Sequence, residues 1–274
     1  MTSYEFETHR PVDLFVEIGS GTVQIQTTDT TESHVEINGR DADRATVEQD
    51  GDRLSVVAPR HRTGFSSGEA KLDFLITVPT RSELTVRSGS AEVTARGAYG
   101  VTHVKSGSGE VQIESLEGQS LVETGSGGVR IEASESDLRV KSGSGDIAIE
   151  RCGGALSVST GSGDVQIGTN NGPAMIKTGS GDLKVAEART DVAMTTGSGD
   201  LVIGSASNGR FSVKGASSDV RIGVPAGVPV WTDLSTISGQ IRSDLAGAGE
   251  PEEGADYVEL RAKTVSGDIV LTQI

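Results

Sequence analysis

Seven serines, Ser90, Ser108, Ser126, Ser144, Ser162, Ser180 and Ser198, occupy every eighteenth position of their stretch, each behind a glycine. The phrase around them reads most cleanly as Thr160-Gly161-Ser162-Gly163-Asp164-Val165-Gln166-Ile167. A fixed interval of this length demands a structural unit that recurs with it and stacks on copies of itself. The apolar residues define the unit. With Ile147 as origin, apolar side chains stand there and at Ile149, again at Leu156 and Val158, and the cycle restarts at Val165 and Ile167. The copy before gives Val129, Ile131, Leu138 and Val140, and a later one Leu183, Val185, Val192 and Met194. The third slot is loosest, holding Thr102, Ser120 and Ala174 elsewhere.

Spacing of i, i+2 is the period of a strand with one buried face. Each repeat therefore holds two short strands and two turns. One turn is the Gly-Ser-Gly phrase. The other is variable: Cys152-Gly153-Gly154, Asn170-Asn171-Gly172 and Ser207-Asn208-Gly209. Glycine is expected there because turns use positive φ, which glycine adopts freely. Antiparallel hairpins would alternate direction from copy to copy, whereas identical turns at identical spacing fit one full coil stacked on the next. A triangular left-handed helix also uses 18-residue coils, but marks its apolar sites every six residues. The expectation is an all-β chain forming a parallel β-solenoid, β-helix or β-roll-like, with flattened, two-sided 18-residue coils. The crossover rule favours the right hand.

Composition agrees with thin aliphatic layers: glycine is 37 of 274 residues and aromatic residues only 3%. The formal net charge of −15 repels a phosphate backbone and anionic lipid, so nucleic acid is excluded as a partner and direct membrane insertion is not expected. Cys152 is the sole cysteine, so no internal disulfide forms. The start, Met1-Thr2-Ser3-Tyr4-Glu5-Phe6-Glu7, is neither basic nor apolar enough for a signal peptide. No stretch approaches the ~20 apolar residues of a membrane span. A cytoplasmic protein is expected.

The first coil is Leu14 and Val16, Gly19-Ser20-Gly21, then Val23 and Ile25. About 52 extra residues separate it from the coil of Ser90. Within them, Val35 and Ile37 before Asn38-Gly39, and Leu54 and Val56 after Asp50-Gly51-Asp52, signal hairpins, and Leu72–Val78 is the most apolar strand. Pro59–Glu69 is expected to be an exposed loop. Residues 1–274 are thus expected to form a single solenoid domain. Residues 28–80 are inserted between the first and second coils as a hairpin cap over the N-terminal edge, and 223–274 form irregular C-terminal coils. Further phrases at Ser217, Ser238 and Ser266 bring the coils to eleven. The final copy, Thr264–Leu271, is expected at the end of the stack, with Trp231 as a packing anchor of these coils.

Stacking turns each repeated position into a row. Asp146, Asp164, Asp182, Asp200, Asp219 and Asp268 form one, with Glu92 and Glu110 before them and Gly128 and Gln240 as breaks. Calcium takes six to eight oxygens, but calcium-binding β-rolls repeat their phrase every nine residues. The simpler reading is a carboxylate that accepts hydrogen bonds from turn N–H groups. Ser106, Thr124, Ser142, Thr160, Thr178 and Thr196 form a hydroxyl row, read as what a tight strand end tolerates. Lys105, Lys141 and Lys177 fall on alternate coils, read as charge spacing. His9, His34, His61 and His103 lack Ser/Asp partners at triad spacing, and His103 should face outward. Metal-ligand spacing, a phosphate-loop Gly-Lys-Ser/Thr ending and aromatic sugar platforms are all missing. Catalytic, cofactor-binding and metal residues are therefore none, and no cofactor is expected.

The Thr-Gly-Ser-Gly-Asp repeats, Pro225-Ala226-Gly227-Val228-Pro229-Val230-Trp231, and Leu260-Arg261-Ala262-Lys263-Thr264-Val265-Ser266-Gly267-Asp268-Ile269 together resemble the bacterial DUF4097 β-strand-repeat family, often labelled "putative adhesin", and most closely its actinobacterial members. The resemblance covers almost the whole chain. It implies a β-solenoid and a loose link to cell-envelope stress systems, and supplies no catalytic residues. The expected function is a non-enzymatic scaffold or interaction module, self-associating through its terminal coils or binding an unknown protein partner. A calcium- or ligand-binding β-roll using the Asp row is the alternative, and a carbohydrate-active enzyme ranks last.

Overall fold

The computed structural model describes residues 1–59, 71–247 and 256–274, and these fall into two compact units, Met1–Ser136 and Asp137–Ile274. Both are two-sheet parallel β-solenoids built as the apolar spacing dictates. Two consecutive strands make one coil, one strand in each sheet, and the coil's strands pair in parallel with the equivalent strands of its neighbours.

In the first unit one sheet runs, in spatial order, Thr2–Glu7, Glu32–Asn38, Leu72–Pro79, Gly21–Thr28, Glu92–Tyr99, Val111–Leu116 and Val129–Ser134. The other runs Thr46–Asp50, Arg53–Val57, Asp13–Ile18, Glu83–Ser88, Thr102–Ser106 and Ser120–Thr124. The first coil and the coil of Ser90 are therefore direct neighbours in space, Leu14 beside Leu84 and Val23 beside Val93. The described residues between them in sequence lie on the outer side of the first coil. They do more than cover it. Arg53–Val57 pairs in parallel with Asp13–Ile18, and Leu72–Pro79 in parallel with Gly21–Thr28, so together they add a further coil that lacks the glycine phrase. Direction reverses only beyond it: Thr46–Asp50 and Glu32–Asn38 pair antiparallel to this coil, and Thr2–Glu7 antiparallel to Glu32–Asn38.

The hairpin expected at Asp50-Gly51-Asp52 is present, with Asp50 opposite Arg53 and Gly51 at φ 59°. The one expected at Asn38-Gly39 is not. Gly39, at φ 134°, ends its strand, but the chain continues through a short 3-10 turn, Ala42–Arg44, into the opposite sheet. An Asn-Gly pair marks a reversal of backbone course, and nothing local determines whether the next strand returns to the same sheet. Most of the loop expected at Pro59–Glu69 lies outside the described residues.

In the second unit one sheet runs Ile147–Cys152, Val165–Asn170, Leu183–Ala188, Leu201–Ala206, Val220–Val224, Ile269–Gln273 and Ile241–Ser243. The other runs Leu138–Ser142, Leu156–Thr160, Ala174–Thr178, Val192–Thr195, Gly209–Lys214, Val258–Thr264 and Val230–Thr236. Here the sequence expectation needs correction. The last coil of the chain is not the last of the stack. Val258–Thr264 and Ile269–Gln273 sit between the coil of Ser217 and the coil of Ser238, pairing in parallel on both sides. Val258, Leu260, Ala262 and Ile269 are consequently buried to 0% exposure, because each has a layer above and below. That burial favours the apolar Val258–Thr264 strand in the inner position over Val230–Thr236, which alternates with Asp233, Ser235 and the exposed Trp231.

Candidate functional site

The turn chemistry explains why glycine recurs. The glycines of the seven regular phrases do not take positive φ; Gly21 of the first coil and Gly267 of the final copy do. The regular glycines are required by stacking. A Cβ on Gly161 would stand 2.4 Å from the carbonyl oxygen of Gly143, one on Gly163 2.2 Å from that of Gly145, and one on Gly172 2.0 Å from that of Gly154. Successive turns approach so closely because their backbones are hydrogen-bonded: Gly161 and Ser162 N–H both donate to Gly143 O, at 2.9 and 3.3 Å. In the variable turns the expectation of positive φ holds at Gly209 and fails at Gly172, where room is the requirement.

The hydroxyl row closes the same turns from inside. Ser106, Thr124 and Thr178 are 4–8% exposed, so this row is no surface. Ser106 and Thr124 hydroxyls donate to the carbonyls of Gly109 and Gly127 at 2.9 Å, and the Thr178 and Thr196 hydroxyls accept from Gly181 and Gly199 N–H at 2.8 Å.

The Asp row forms a continuous ladder in the second unit. Asp164 N–H donates to the Asp146 carboxylate, Asp182 N–H to Asp164, Asp200 N–H to Asp182 and Asp219 N–H to Asp200, all at 2.8–2.9 Å. The row then passes to Asp268 and ends at Gln240, whose N–H donates to Asp268 at 2.9 Å. Gln240, read in sequence as a break, is the terminus of the ladder, since no coil beyond it among the described residues offers an N–H to accept. One oxygen of each carboxylate is engaged by the backbone. Among the described residues no group of three or more His, Cys, Asp or Glu side chains is placed to hold a metal ion.

Two surfaces remain. The first is the terminal coil, Val230–Thr236 with Ile241–Ser243. Leu234 lies in register with Ala262 and Ile241 with Ile269, so both face the interior direction. Yet Ile241 is 47% exposed, Ile237 in the turn 80%, and no further strand among the described residues pairs with this coil. Trp231 does not anchor the core. It is half exposed, its ring stacked 5.4 Å under the Arg261 guanidinium, because register sets it opposite Glu259 on the outer face. Glu259 accepts from Arg210 at 2.7 Å and lies 2.6 Å from Arg261. The Arg210 hydrogen bond, opposed by burial, holds its carboxyl below the usual carboxylate range.

The second is the outer face of the sheet from Leu138–Ser142 to Val230–Thr236. One row of side chains reads Lys141, Ser159, Lys177, Thr195, Lys214 and Lys263 across adjacent strands. The neighbouring row begins at Arg139 and reaches Arg261. Sequence spacing reveals only Lys141 and Lys177, since the extra residue before Ser217 and the tucked final coil place Lys214 and Lys263 off the regular interval. In the first unit the corresponding positions Glu17, Arg87, Lys105 and Glu123 carry both signs and line an open groove that also receives His103. His103 faces outward, 3.9 Å from Glu123, and His34 lies 3.6 Å from Glu5. His9 is exposed, and His61 lies outside the described residues. The structure brings none of the three described histidines together. Asn170, expected in a turn, instead ends its strand facing inward, fully buried. No helix among the described residues is long and apolar enough to cross a membrane.

The Toastrack DUF4097 family model matches residues 12–172. Among solved structures, a "putative lipid binding protein" from Parabacteroides distasonis is 14% identical, covering 98% of this chain and 96% of its own, with a TM-score of 0.37. A "putative adhesin" from Parabacteroides merdae is 13% identical, covering 98% and 95%, with a TM-score of 0.37. A "putative cell adhesion protein" from Clostridium sporogenes is 11% identical, covering 100% and 99%, with a TM-score of 0.22. None of the curated proteins matches.

Proposed function

This chain belongs to the Toastrack DUF4097 family, and we propose that it works by binding rather than catalysis, as a β-solenoid interaction module that joins a second copy through its terminal coil. The family resemblance implies a loose link to cell-envelope stress systems as the context for that binding. One observation carries the reading: the coil of Val230–Thr236 and Ile241–Ser243 presents two strand edges with Leu234 and Ile241 on the interior side, Ile241 47% exposed, and Ile237 80% exposed in the turn between the strands. An unpaired edge over an open apolar layer is a template for another chain, and natural proteins ordinarily blunt such edges with charge or cover. Here the described strand edges carry little of either, Asp233 and Arg242 being their charged residues. The repeated side chains elsewhere serve turn closure, which leaves the sheet faces and this end for contact.

The test is light scattering over a concentration series, with circular dichroism to verify folding. The wild-type protein is expected to pass from monomer mass to twice that mass as concentration rises. Ile237→Asp and Ile241→Lys should remain monomeric with an unchanged strand spectrum. A wild-type chain of monomer mass at every concentration overturns the reading, as does association that both variants retain.

A further inference from the structure

We propose that the outer face of the sheet running from Leu138–Ser142 to Val258–Thr264 binds a linear acidic polysaccharide along its lysine row. The site lies within the second unit and is independent of the terminal coil.

Side chains alternate across a strand, so every second residue of these strands projects outward on one surface. Register then aligns Lys141, Ser159, Lys177, Thr195, Lys214 and Lys263 in one line across the strands, and all six are exposed. No carboxylate occurs in that row. Arg139 adds a guanidinium group in the adjacent row; Arg261 in that row is already engaged by Glu259 at 2.6 Å and by the Trp231 ring, and Asp233, 3.9 Å from Lys263, is the row's one acid. Among the described residues no acid pairs with the side chain of Arg139, Lys177 or Lys214. A chain of net charge −15 thus carries a face whose charge is positive. The screening length of about 8 Å at physiological ionic strength lets that face act separately from the acids at the turns.

The spacing selects the class of polyanion. Lys141, Lys177 and Lys214 recur on every second coil. Neighbouring lysines are therefore separated by two strand spacings of about 4.8 Å each. That is close to the length of a disaccharide, so a polymer with one carboxylate on alternate sugars can meet each lysine in turn. Ser159 and Thr195 fall midway between the lysines, where hydroxyls can exchange hydrogen bonds with the intervening sugar. A nucleic acid strand carries a phosphate roughly every 3.4 Å, far denser than these cations, and gains most from stacking on aromatic rings. The two rows contain no aromatic residue, and the one aromatic ring beside them, Trp231, is already stacked on Arg261. A membrane surface would call for apolar anchors beside the charges, and Met175 alone fills that part in these rows.

The experiment is calorimetric titration of the full chain with hyaluronan, which bears one carboxylate per disaccharide, at low and high salt. Neutral dextran, phosphatidylglycerol vesicles and a single-stranded oligonucleotide are titrated alongside. Hyaluronan should bind at low salt and weaken as salt rises, and dextran should not bind. Lys177→Gln with Lys214→Gln should lower the affinity about tenfold, as expected for two exposed ion pairs. Lys184→Gln, on the opposite sheet, should leave it unchanged. No binding of hyaluronan overturns the proposal. So does equal binding by the double variant, or tighter binding of vesicles or oligonucleotide than of hyaluronan.

Discussion

Replacing Gly161 by alanine tests whether contact between coils, and not turn conformation, dictates the glycine phrase. Gly161 has no positive φ, so alanine is conformationally permitted there. At such a site Gly→Ala ordinarily stabilises by about 0.4–1 kcal/mol through the unfolded chain. The structure predicts the opposite sign. The new Cβ would stand 2.4 Å from Gly143 O, well inside normal contact, and the obstacle is backbone with no rotamer to change. Relief requires the two turns to part, which breaks the hydrogen bonds from Gly161 and Ser162 to that same oxygen. Two lost bonds at about 1 kcal/mol each, with overpacking strain of about 1–3 kcal/mol, outweigh the unfolded-state gain, for a net loss of about 2–4 kcal/mol. Gly19 holds the same place in its phrase, and no described atom lies within 4 Å of its Cβ. Gly19→Ala should therefore be neutral or slightly stabilising. Urea unfolding followed by circular dichroism measures both. Equal midpoints for the two variants would refute the stacking argument.

Three further outcomes are expected. Asp182→Ala should cost about 0.5–1.5 kcal/mol in urea unfolding, by removing the acceptor for Asp200 N–H, while Asp182→Asn keeps an acceptor and most of the stability; a wild-type melting temperature that fell in chelator would show instead that the ladder holds a cation. Thr178→Val, which leaves the buried Gly181 N–H without its acceptor, should cost about 1–3 kcal/mol, with Thr178→Ser nearly neutral by the same assay. Glu259 has a carboxyl pKa lowered on folding by Arg210, so its contribution is present at neutral pH and lost as pH falls through and below the ordinary carboxylate range; Glu259→Gln should flatten that part of the acid-side decline in urea midpoint, and an unchanged decline would count against the pair.

The regular coils were legible because their buried sites are set by an exact interval: Ile147, Ile149, Leu156 and Val158 all face the interior as their spacing demands. The ends were legible only in part. That Arg53–Val57 and Leu72–Pro79 form a coil is hidden, because pairing with Asp13–Ile18 and Gly21–Thr28 is a long-range relation that leaves no interval behind. The tucked position of Val258–Thr264 is hidden for the same reason, and it misplaced Trp231 and Gln240 in the sequence reading. Lys214 and Lys263 join the lysine row only once it is known which coil neighbours which. The glycines were found for a reason that proved secondary, since sequence shows where the backbone must be bare but not what approaches it.

The clasped final coil has a consequence for synthesis. Coils from Leu138 to Val224 can be laid down one after another, each on the finished edge of the last, as the chain leaves the ribosome. The coil of Val230–Thr236 and Ile241–Ser243 has no such edge to join, because its neighbour is made of residues that follow it in the chain, Val258–Gln273. It must wait unpaired, or dock early and be displaced. Either way this end assembles only after Val258–Gln273 has emerged, and a nascent chain that has reached only Ser243 exposes as its edge a strand that the folded stack keeps inside.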